Sequence, residues 1–335
     1  MILKSLIILI ILFFVSTIFT FRGDGPSTHT IINYLFSQEI PNNSVIESIL
    51  YELRIPRNIL ALLSGASLAL AGAVSQGIFR NSLASPSVIG TNSGGVLAAI
   101  LVFYFGLAWE SQVYLSAASI IGSCFSTILV LAIFNHQKMQ SLGALLLLGF
   151  ALNAFLSGLT SFTLSFLLND YEKSTSALRW MLGSYASASW HEVRFLASTF
   201  ATGLILAYPL AYKIDLLSLG EDLAKTSSIN VTKLKNLSII ALAILVGGSI
   251  SVAGGIPFVG LIVPHISRQL VGPRHKKLFI TSILNGAILT LFCDLIARNI
   301  RFPEEIEMGA ITTLLGAPFF IWLLISNQKK KESNI

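Results

Sequence analysis

Charge is scarce in this sequence. Asp, Glu, Lys and Arg make up 11% of its 335 residues, where a soluble globular protein carries roughly a quarter. That shortage, beside 54% hydrophobic residues and a mean hydropathy of +0.77, excludes an ordinary water-soluble domain. It points to an all-α polytopic membrane protein, since a helix needs about 20 apolar residues to cross the hydrocarbon. Cysteine is nearly absent. Cys124 and Cys293 lie inside apolar runs with no CxxC spacing, which removes a disulfide framework or thiolate metal site and leaves two small core residues. The five histidines, His29, His136, His191, His265 and His275, form no HExxH pair. The nearest approach to a phosphate loop, LGEDLAKTS at 219–227, has Ala224 where a Walker A motif needs Gly before its Lys. With no nucleophile–base or metal spacing, the chain is not expected to be an enzyme.

What the sequence has in quantity is long apolar runs. They fall near 5–21, 58–79, 88–105, 113–134, 142–168, 195–212, 236–254, 256–267, 278–297 and 309–325, which predicts about ten spans in a single membrane domain covering 1–335. The first run ends in Thr20-Phe21-Arg22 without a small-x-small cleavage site, so it reads as an uncleaved span. An even count puts both termini on one side. That side receives 14 of the 22 Lys and Arg; the other receives Arg22, Arg54, Arg57, Lys173, Arg179, Arg194, Arg298 and Arg301. The positive-inside rule then makes both termini cytoplasmic.

The two halves echo each other. GASLALAG at 65–72 and GGSISVAG at 247–254 share Gly65/Gly247, Ser67/Ser249, Ala71/Ala253 and Gly72/Gly254, the second in a span of opposite direction. This suggests an inverted repeat of five plus five helices, although small-residue helix packing accounts for it equally well. Ionisable residues deep in spans are few. Asp294 stands one turn before Arg298, so an i,i+4 pair is available. His265, in IVPHISR, reads as a hydrogen bonder near a helix end. Between the sixth and seventh spans, 213–235 is too polar to cross and has helical character, suiting either a surface helix for a soluble partner or a solvated linker. ELRIPRN at 52–58 places Arg54 and Arg57 on the outer side, against the charge bias. They suit either arginines reaching for headgroups or a basic patch for an acidic partner.

Three blocks together resemble the FecCD-type permeases of ABC importers for iron–siderophore, haem and cobalamin: RIPRNILALLSGASLALAGAVSQGIFRNSLASPSVIGTNSGG (54–95), GGIPFVGLIVPHISRQLVGPRHKKL (254–278) and DLIARNIRFPEEIEMGAITTLLGAPFFIWLL (294–324). The resemblance implies ten helices in a bacterial inner membrane, a second permease subunit (identical or paralogous), two cytoplasmic ATPase subunits that carry the ATP and Mg, and an extracytoplasmic substrate-binding protein. It implies no cofactor on this chain and no nucleic acid; membrane lipid surrounds it. By position, it gives Arg54, Arg57 and Arg298 to binding-protein docking, Leu219, Gly220, Glu221 and Ala224 to ATPase coupling, and Leu142 and Gly143 to a cytoplasmic gate. The expected cargo is an iron chelate, ferric siderophore first, with haem or cobalamin open. Ser82, Ser85, Glu307 and Ser227-Ser228 depart from the family pattern, the last pair leaving the coupling turn undefined. A stand-alone carrier driven by an ion gradient is the alternative, motivated by the internal echo and Asp294.

Overall fold

A computed structural model describes residues 2–18, 43–82, 84–136, 142–300 and 305–332. These residues form helices and connecting turns, with no strand among them. In chain order the α-helices are α1 (Ile2–Ile18), α2 (Asn43–Ser48), α3 (Ile55–Ile78), α4 (Thr91–Tyr104), α5 (Gln112–His136), α6 (Leu142–Leu167), α7 (Tyr171–Leu182), α8 (Trp190–Ala207), α9 (Ala211–Ser218), α10 (Glu221–Thr226), α11 (Val231–Ala253), α12 (Val259–Val271), α13 (His275–Asn299) and α14 (Met308–Glu332). Each predicted apolar run lies on one of them. Six helical stretches are long and apolar enough to cross a membrane, and α1, α4 and α14 carry shorter apolar stretches.

Burial sorts the helices. The apolar windows of α3 and α11 are 83% and 78% buried, against 28%, 22% and 28% for α5, α6 and α8. The outer helices expose Leu147, Phe150, Phe155, Phe162 and Phe166, a surface for lipid or another subunit. The central pair is crossed by small residues. Gly72 of α3 lies against the backbone of Gly260 in α12, and Gly65 against Gly286 and Thr290 of α13. In lipid, where apolar surface gains little from burial, such close approach and its dispersion contacts hold helices together. The second helix of each half packs on the other half: α3 on α13, α11 on α5. Ser64 and Ser249 join α3 to α11 at 2.7 Å.

Three features differ from the sequence reading. Pro56 sits in the first turn of α3, where the run at 58–79 suggests a new helix, but the helix does not begin afresh there. A π-helical turn, Ile49–Arg54, joins α2 to α3, and Arg54 already has helical φ and ψ. The loop after α6 holds a twelve-residue helix, α7, that hydropathy does not reveal. Asp170 caps it through the Lys173 N–H, and Gly183, at φ +78°, ends it. Finally, α12 starts at Val259 rather than 256, because Gly254, Gly255 and Pro257 hold the chain out of helix and Phe258 turns it at φ +67°.

Helices α1, α3 and α13 define the two ends of the bundle. Ser5 bonds Asn285 and Ser16 lies near Arg298, so α1 and α13 run side by side in the same direction. Arg57 meets Asp294 at one end, here the upper end, while Gly77 meets His275 at the lower end.

Candidate functional site

At the upper end, Arg57 is gripped from two sides. Nη1 and Nη2 donate to Glu305 at 2.8 and 2.9 Å, and Nη2 and Nε donate to Asp294 Oδ1 at 2.9 and 3.2 Å. A planar guanidinium suits such forked pairing. The other Asp294 oxygen takes Arg298 Nη2 at 3.0 Å, the i,i+4 pair legible in the sequence. Arg298 also donates to Ser16 Oγ and, at 3.0 Å, to Asn58 Oδ1. Arg54 Nη1 donates to the Thr17 carbonyl at 3.0 Å, and Asn58 Nδ2 reaches Thr17 Oγ1 at 2.9 Å.

The three arginines do gather at one end, but not as an open basic patch. Asp294 is 1% exposed, and Arg54 and Arg298 are buried. Arg54 and Arg298 tie α1 to α3 and α13. The part of the cluster nearest solvent is the Arg57–Glu305 pair, with a Glu305 side chain 36% exposed. Glu305, Asn58, Ser16 and Thr17 carried no signal in the sequence, because Arg57 lies 237 positions from Asp294 and 248 from Glu305.

At the lower end, α9, α10 and the start of α11 form the predicted polar segment, and it is helical. Gly220 joins α9 to α10 at φ +140°, a conformation open to glycine and strained for a residue with a Cβ. Ser227-Ser228 closes α10 in a Schellman turn. Ser228 takes φ +60°, its N–H bonds the Lys225 carbonyl, and the Ile229 N–H bonds the Ala224 carbonyl. The departure from the family pattern therefore leaves a defined turn. Glu221 accepts from Lys235 Nζ of α11 at 2.6 Å. That hydrogen bond holds the Glu221 carboxyl below the usual carboxylate range, outweighing partial burial.

The four coupling residues divide by exposure. Leu219 is 70% exposed, while Ala224 is fully buried against the protein's own body and seats the helix. Leu223 of α10, not singled out in the sequence, is also exposed, at 47%; Leu219 stands before the Gly220 break and Leu223 after it. Leu142 and Gly143 are the first residues of α6; the surroundings of their side chains lie outside the described residues. His265 pairs with Gln269 along α12 at 3.1 Å.

Apolar helices long enough to cross a membrane, with ion pairs tying them at one end and a short capped helix at the other, make the architecture of a multi-pass membrane protein. Residues 8–326 match the FecCD transport family, and the chain belongs to that family. It is 37% identical over 286 residues to an Fe(3+)-citrate import system permease protein, YfmE, of Bacillus subtilis, covering 85% of this chain and 84% of that protein. It is 36% identical to a vitamin B12 import system permease protein, BtuC, of Vibrio cholerae, over 85% of each. It is 35% identical to a hemin transport system permease protein, HmuU, of Yersinia pestis, over 87% of each. A solved metal-chelate type ABC transporter in an inward-facing conformation superimposes with a TM-score of 0.84 at 31% identity, covering 97% of this chain and 98% of its own.

Proposed function

We propose that this chain is the permease subunit of a binding-protein-dependent ABC importer that moves an iron chelate, a ferric siderophore first, into a bacterial cytoplasm. The observation that carries the class is the 0.84 superposition over nearly the whole chain, joined to relatives named for iron-citrate, hemin and vitamin B12 import. On this reading all ten apolar runs cross the inner membrane, both termini are cytoplasmic, and the halves are an inverted repeat. The upper end faces outward and the lower end faces the cytoplasm. The chain pairs with a second permease subunit, and two ATPase subunits supply the energy. ATP hydrolysis displaces α10, and the bundle alternates between two states. A stand-alone carrier is not favoured, since Asp294 is committed to Arg57 and Arg298 rather than placed as a titrating relay.

The exposed Leu219, just before Gly220, and Leu223 of α10 give the coupling segment its contact with an ATPase groove, with Glu221 and Ala224 holding the helix in place. Expression beside the ATPase encoded with it provides the test. L223D is expected to abolish copurification of the ATPase and leave the permease monodisperse; undiminished copurification would overturn the assignment of this contact.

Arg54, Arg57 and Arg298 serve docking through Arg57, the member of the cluster whose partner is exposed. Glu305 occupies the fork that an acidic residue of the substrate-binding protein would take. E305Q is expected to strengthen binding-protein capture severalfold at low salt, by about one exposed ion pair, with the gain fading as salt rises. Weaker or unchanged capture would remove Arg57 from the docking surface. Charge reversal at Arg57 itself would not give this answer, because it also breaks the buried pair with Asp294.

A further inference from the structure

The lower end holds a second acid–base pair, a buried histidine against a partly exposed carboxylate, that neither docking nor the exposed leucines use. Asp215 of α9 accepts two hydrogen bonds at one oxygen, Oδ1. One comes from the backbone N–H of His275 at 2.9 Å, the other from the His275 ring Nδ1 at 2.6 Å. An ionised carboxylate has no proton to give, so against it Nδ1 is the donor. His275 opens α13, and the N-cap residue Arg274 makes no side-chain cap bond. A carboxylate from a different helix therefore satisfies an N–H that would otherwise be left open. The ring is 4% exposed, with its edge on Phe279. On the far side it meets Gly77 of α3, where a Cβ would stand 2.6 Å from Nε2. Three helices meet at this one imidazole.

Two further facts give the pair a direction. Asp215 lies four residues before Leu219 and five before Gly220, so only the turn at Leu219-Gly220 separates α9 from the coupling helix. In turn, α13 is tied to α3 along its whole length. At the bottom His275 fits against Gly77, in the middle Thr290 Oγ1 donates to the Ala61 carbonyl at 2.7 Å, and at the top Asp294 holds Arg57. An element tied at three levels moves as a body.

We propose that Asp215 and His275 are positioning residues that fix the α3–α13 unit to the coupling segment, so that displacement of α10 is delivered to the arginine cluster at the opposite end of the bundle. The inference rests on the importer reading and specifies which contact transmits the motion. A chain of contacts is not by itself coupling, so the readout must separate transmission from stability.

The experiment uses the assembled permease–ATPase complex in lipid, with and without its loaded binding protein. D215A and H275A are expected to retain the ATPase and keep basal ATP hydrolysis within about 2-fold. The ratio of stimulated to basal hydrolysis is expected to fall by about 5-fold or more, the usual size of a coupling effect. D215N, isosteric and still able to accept from the His275 N–H, covers the case in which D215A does not assemble; its ratio is expected to fall less. An unchanged ratio, or basal and stimulated rates falling together, would reduce the pair to a helix cap and overturn the proposal. A wild-type chain that carries no ATPase would instead sink the importer reading itself.

Discussion

Asp294→Ala is expected to destabilise the folded bundle by about 3–5 kcal/mol, the loss that follows when one member of a buried charge pair is removed. Asp294 is 1% exposed and is shared by two arginines, the partly buried Arg57 at 2.9 Å and the buried Arg298 at 3.0 Å. Without it Arg57 keeps Glu305, but Arg298 is left with neutral partners, Ser16 and Asn58. Two cations then remain in a poorly solvated site with one surface acid between them. E305Q gives the contrast, since an exposed pair contributes about 0–1 kcal/mol. Unfolding midpoints of the purified variants in detergent measure both. A loss below about 1 kcal/mol for D294A would mean that water reaches the cluster and solvates the two guanidinium groups.

Gly72→Ala is expected to cost about 3 kcal/mol or more. Overpacking a core usually costs about 1–3 kcal/mol because side chains can shift. Here a Cβ would enter the space of the Gly260 carbonyl and stand 2.7 Å from its Cα. The obstacle is backbone in a neighbouring helix, so relief requires α3 and α12 to separate. Gly158→Ala is the matched control, because nothing lies within 4 Å of a Cβ there, and removing a helical glycine is worth up to about 1 kcal/mol. The same thermal assay should move G158A upward or not at all and G72A sharply downward. Equal, small shifts would show that α3 and α12 separate at little cost.

These two sites also show what the sequence carries and what it withholds. The apolar runs are legible because membrane thickness fixes their length, and every run falls on a helix. Helix α7 is illegible for the complementary reason: twelve residues including Glu172, Lys173 and Arg179 give no hydropathy signal, and its definition comes from the Asp170 cap and Gly183. The Asp294–Arg298 pair could be read from spacing because it is local. The same Asp294 with Arg57 could not, since 237 residues separate them. The sequence marks three arginines as unusual for their side of the membrane but not whether they face a partner or each other. In the same way the Gly72/Gly254 echo marks small residues without naming the surfaces that require them, Gly260 for one and Trp180 for the other.

The seam between α1 and α13 has a consequence for synthesis. Ser16 leaves the ribosome 282 residues ahead of the arginine that binds it. At about 5–20 residues per second, that is an interval of roughly 15–55 s. Throughout it the hydroxyls of Ser16 and Thr17 on α1 are short of their final partners: both first gain Asn58, and Ser16 only much later gains Arg298. A helix at the beginning of the chain is therefore fastened by one near its end, and the bundle stays open at that edge until translation is nearly complete.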